Sequence, residues 1–91
     1  MAEKTVLLST KEAKGRQEIA DTLKHIADKI AGGKLTMKAG QDSVALEMPD
    51  QLILEVKVSD KAKKSKGTQH ELELEIKWYD EGLPGGTLEL E

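Results

Sequence analysis

From residue 70 to residue 78 the chain alternates between apolar and polar positions without interruption: His70, Glu71, Leu72, Glu73, Leu74, Glu75, Ile76, Lys77 and Trp78. Successive side chains of a strand leave on opposite faces, so Leu72, Leu74, Ile76 and Trp78 share one face, and Glu71, Glu73, Glu75 and Lys77 the other. A dry face and a wet face predict an antiparallel sheet covered on a single side. Residues 52–58 repeat the period, with Leu52, Leu54, Val56 and Val58 on one face and Ile53, Glu55 and Lys57 on the other. Ile53 is the one large apolar group on the wet side. Two shorter alternating runs, 34–38 and 43–48, flank the turn-forming Ala39-Gly40-Gln41-Asp42 and predict a hairpin. Pro49-Asp50 then breaks the ladder, because proline has no amide to donate and aspartate favours turns.

Ahead of the strands the period changes. Ala13, Ile19, Ala20, Leu23, Ile26, Ala27 and Ile30 recur at three- and four-residue intervals, with Glu12, Lys14, Glu18, Asp21, Lys24 and Asp28 off the stripe. Ser9 followed by Glu12 has capping-box spacing, and Gly32-Gly33 supplies a left-handed stop, so a helix is expected over 10–31. Gly15 costs this helix about 1 kcal/mol relative to alanine, which favours fraying of its first turn. Residues 5–8 offer a short extra N-terminal strand. Residues 59–69 have no period and read as an exposed loop, and the glycine-dense residues 80–91 read as a disordered tail. The expected architecture is a two-layer α+β domain over residues 5–79, with one amphipathic helix packed on one face of an antiparallel meander of four strands. Its predicted core is Leu23, Ile26, Leu46, Leu54, Val56, Leu72, Leu74, Ile76 and Trp78.

At 91 residues there is room for one small core. Phenylalanine is absent and Trp78 and Tyr79 are the only aromatics, so that core is aliphatic around one ring. Tyr79 has the opposite parity and is expected at the surface. Seventeen acidic residues against fourteen basic give a net charge of −3, which leaves no global basic field to attract nucleic acid. The absence of cysteine removes disulfides, thiolate nucleophiles and the usual zinc ligand sets, and fits a reducing compartment. Val6-Leu7-Leu8 is too short for a signal-peptide core and no run could span a membrane, so a cytoplasmic protein is expected.

The helix ending in Gly-Gly, the 40–46 hairpin segment, the break at Pro49, Leu54-Glu55-Val56 and the closing 71–78 strand together resemble the small prokaryotic amphi-Trp domain family. The resemblance covers residues 5–79 and rests on the combined order of elements. It implies the fold and brings no catalytic residue, cofactor or activity with it.

Each candidate for chemistry has a plainer alternative. Trp78 could stack on a base or ligand ring, but its parity with Leu72, Leu74 and Ile76 places it in the core. Glu71, Glu73 and Glu75 form a row with roughly 6.6 Å between neighbours, unlike the close oxygens of a cation loop, and read as a solvated face with cross-strand ion pairs. Lys61, Lys63, Lys64 and Lys66 could contact phosphates, yet no glycine nest or interleaved aromatic accompanies them, which favours a solubilising loop. His25 and His70 lack metal-site spacing. No hydroxyl lies in a nucleophile elbow, and Gly32-Gly33-Lys34 lacks the spacing of a phosphate loop. The expectation is therefore a non-enzymatic interaction module without cofactor, catalytic residue or metal. It would use its charged sheet face or an exposed strand edge to bind a protein partner or its own copy. Weak nucleic acid or anion binding through residues 61–66 is the alternative.

Overall fold

Gly15 and Gly32 bound the single helix of the computed structural model, which describes residues 3–82. The chain divides into two compact units, Met1–Met48 and Pro49–Glu91. The first holds α1 (Arg16–Ala31), β1 (Lys34–Ala39) and β2 (Asp42–Glu47), and the second holds β3 (Ile53–Lys63) and β4 (Gly67–Lys77). Among the described residues, one helix and four strands in antiparallel pairs make an α+β arrangement.

The helix starts at residue 16 rather than residue 10. Gly15 is its N-cap in an extended conformation, with no side chain to accept from the first-turn amides. The expected capping box does not form, and Glu12 instead pairs with Lys14 at 3.2 Å. Five residues of an isolated first turn cannot repay nucleation when a glycine follows them, so the helix begins where uninterrupted helix formers do. Along its exposed side, Gln17 Nε2 donates to Asp21 Oδ1 at 3.0 Å and the Thr22 hydroxyl to the Glu18 carbonyl at 2.9 Å. At the far end, Gly33 takes a φ of 83°, its amide donates to the Ile30 carbonyl, and its carbonyl accepts from Met48 at 2.8 Å. One glycine thus ends the helix and opens the first hairpin.

In that hairpin Leu35 faces Leu46 and Met37 faces Val44. The loop is Gly40-Gln41, and a positive φ at Gly40 alone (60°) is the signature of a type II′ turn. The second hairpin is longer than the apolar period predicted. Strands of 11 residues each run through 59–63 and 67–70, where a loop was expected, and close over Lys64-Ser65-Lys66 with Gly67 at a φ of 72°. Periodicity failed there because both faces are polar, and pairing is carried by the backbone ladder and the turn. Residues 5–8 form no strand. Val6 and Leu7 are exposed, and three or four residues without a ladder partner have nothing to hold them extended.

The four antiparallel strands form two two-stranded sheets, β1-β2 in the first unit and β3-β4 in the second. Pro49 and the residues after it interrupt the backbone between β2 and β3 where a third ladder would begin. Leu35, at 8% exposure, is the sole buried residue among those described, and it was not in the predicted set. Ile26, Leu46 and Trp78 are half-buried, whereas Leu23, Leu54, Val56, Leu72, Leu74 and Ile76 are exposed. Of the expected tail, residues 80–82 form a turn in which the Gly82 amide donates to the Tyr79 carbonyl at 3.2 Å. Residues 83–91 lie outside the described residues.

A Cβ added at Gly67 would meet nothing within 4 Å, so replacing it costs only backbone strain. G67A is expected to lower the stability of the β3-β4 hairpin by about 1–2 kcal/mol, read as faster hydrogen exchange of its amides. G15S, which supplies the missing cap, is expected to stabilise α1 by a few tenths of a kcal/mol.

Candidate functional site

The register of β3 against β4 decides what this surface offers. Leu54 pairs with Ile76, Val56 with Leu74, and Val58 with Leu72. Six branched aliphatic side chains therefore stand together on one face, and all six are exposed, from 39% at Ile76 to 75% at Val58. Contiguous exposed apolar patches of this kind are uncommon on isolated domains.

The opposite face of the same hairpin is charged. Glu55 stands opposite Glu75 and Lys57 opposite Glu73, and these four line a shallow depression. Two carboxylates directly across a ladder repel. Lys77 relieves this by reaching both, with its ammonium 3.2 Å from Glu55 Oε2 and 3.3 Å from Glu75 Oε2. Hydrogen bonding with Glu75 and then Lys77, followed by the charge of Lys77, holds the Glu55 carboxyl below its ordinary value of 4.5. Reciprocally, hydrogen bonds to Glu55 and Glu75 together with their charge hold the Lys77 ammonium above 10.5. All three groups are exposed, so salt screens the cluster.

Toward the turn, the Ser59 hydroxyl donates to Glu71 Oε2 at 3.3 Å, and His70 Nδ1 lies 2.6 Å from Asp60 Oδ1. With its proton on Nδ1 the imidazole donates to that carboxylate. Sequence reasoning missed this pair because 60 and 70 meet only once the turn at 64–66 fixes the register. The four predicted lysines are brought together at the hairpin tip, Lys61 and Lys63 at the end of β3, Lys64 and Lys66 in the turn, all exposed.

Trp78 follows the end of β4. It is half-buried and shares a depression with Pro49, Gln51, Tyr79, Asp80 and Gly82. It thus lies beyond the ladder that carries Leu72, Leu74 and Ile76, and Tyr79 is half exposed. His25 is exposed on α1. Among the described residues no three His, Asp or Glu side chains are grouped to hold a metal ion, and no helix is long and apolar enough to cross a membrane.

The chain belongs to the Amphi-Trp domain family, whose sequence profile matches residues 1–91. No curated protein and no solved structure matches it.

The carboxylate pair sets a pH dependence. A folded-state pKa below the unfolded one contributes stability that is present above the unfolded value and lost as pH falls through the folded one. The Glu55 side-chain carboxyl, followed by NMR, is therefore expected to titrate below 4.5 and to move up toward that value in K77M or in molar salt. A midpoint indifferent to both changes would show that Lys77 does not set it.

Proposed function

We propose that this chain is a non-enzymatic protein-interaction module that works through the β3-β4 hairpin. The observation that carries the reading is the exposure of all six aliphatic side chains on one face of that hairpin. Burying such a side chain fully is worth about 1.5–3 kcal/mol. Covering what the six still expose would recover on the order of 5–10 kcal/mol, comparable with the net stability of a whole domain. A two-stranded hairpin alone in water is marginal, and it becomes stable when further strands or a packed layer are added. Both considerations favour a hairpin that meets another protein surface. A reducing, cytoplasmic setting suits a chain without cysteine.

The test is a photoreactive residue introduced at Leu72 in cells of the source organism. The reading expects one discrete protein adduct that excess unlabelled chain competes away. Diffuse labelling that does not compete would refute it.

The second reading, weak nucleic acid or anion binding, is supported by the four lysines gathered at the hairpin tip. Titrating labelled RNA and DNA at low salt is expected to shift the amides of residues 61–66 and to lose the shifts as salt rises. Unmoved amides at low salt would end that reading.

A further inference from the structure

We infer that the partner of the hairpin is a second copy of this chain, joined antiparallel along β3 with Val56 on the two-fold axis. This rests on the interaction reading above and names its partner.

Each sheet has two strands, so both β3 and β4 present an edge of backbone donors and acceptors. The two edges differ in what an approaching copy would meet. Glu71, Glu73 and Glu75 succeed one another on one face of β4. Antiparallel self-pairing about Leu72 would set Glu71 opposite Glu73, and pairing about Leu74 would set Glu73 opposite Glu75. Like charges directly opposite destabilise a ladder, so both central registers of this edge repel; an axis on Ile76 does set Glu75 opposite Lys77, but it keeps only the last three residues of β4 in the ladder.

The β3 edge behaves differently. With Val56 on the axis, Leu54 meets the copy's Val58, Val56 meets Val56, and Val58 meets Leu54. On the other face Glu55 meets the copy's Lys57 and Lys57 meets Glu55, while Ile53 meets Ser59. Of the seven consecutive pairs, the central five therefore place apolar against apolar on one face and opposite charges together on the other, and the outer two set Ile53 against Ser59. Neighbouring registers lose this match. An axis on Lys57 sets lysine opposite lysine, and an axis on Val58 sets Val56 opposite Asp60.

The result is a four-stranded sheet, β4-β3-β3-β4, in which the two apolar rows run side by side. Val58, the most exposed large aliphatic side chain among the described residues, gains a neighbour across the new ladder. Glu55 keeps its own Lys77 and acquires a second cation. A self-complementary patch in which i meets j and j meets i is the requirement of a closed dimer, which uses up the free edge and stops at two copies.

The test exploits the absence of cysteine. Opposed residues across an antiparallel ladder have Cα atoms about 4.5–5.5 Å apart, within disulfide reach. In V56C the full chain is expected to form a covalent dimer in mild oxidant at low micromolar concentration. L74C, the residue paired with Val56 inside the hairpin, is expected to form it at least tenfold more slowly. Sedimentation of the native chain should give a dimer that K57E weakens at least tenfold and that E55K/K57E recovers. Because E55K also relieves the opposition of Glu55 and Glu75 within the hairpin, the E55K single variant is the control: it sets lysine against the copy's Lys57 and is expected to weaken the dimer at least tenfold although its own hairpin gains an ion pair.

A native chain monomeric at all concentrations, cross-linking of L74C as fast as V56C, or a double variant no better than K57E would each overturn the inference. A competable photo-adduct with a different protein, beside a monomeric native chain, would overturn it while leaving the interaction reading intact.

Discussion

Everything distinctive in the second unit follows from a single register, in which the residue numbers of opposed β3 and β4 positions differ by an even step about Lys64-Ser65-Lys66. Because side chains alternate strictly, this register puts every even-numbered aliphatic group of both strands on one face and every glutamate on the other. A slip of one residue would set leucines against glutamates along the whole ladder. The turn fixes the register and Gly67 permits the turn, so one left-handed glycine specifies a surface that begins five residues away and extends to Leu54.

The electrostatics answer to the same constraint. Opposing Glu55 and Glu75 is unfavourable in itself, and the pairing persists because Lys77 follows two residues later on the same face. Such a cluster adds little to stability in water, since its members are exposed and screened. Its larger effect is to define what may approach: an acidic row on β4 and mixed charge on β3.

Much of this was legible in the chain before folding. The period of two at 52–58 and 70–78 identified both long strands and the composition of both faces, and Gly40-Gln41 located the first turn. The helix was legible in its apolar stripe, but its start was misplaced, because Ser9 and Glu12 had capping-box spacing and Gly15 outweighed them. Residues 59–63 and 67–70 were illegible as strand, since a ladder with polar groups on both faces leaves no hydrophobic trace. Which residues would be buried was the least legible. Periodicity states which side chains share a face and says nothing of what covers that face, so Leu35, the one buried residue among those described, was overlooked. The Asp60-His70 pair was hidden for the related reason that a contact between strands depends on a turn length that polarity does not encode.

The distribution of chromophores has its own consequence. The only helix among the described residues lies before Met48, whereas the only indole and the only phenol of the chain, Trp78 and Tyr79, lie after Pro49. Ellipticity near 222 nm therefore watches the amino-terminal half of the molecule and intrinsic fluorescence watches the carboxy-terminal half. Superimposable melting curves from the two signals would mean that the halves unfold as one cooperative body, and separated curves would mean that they do so independently.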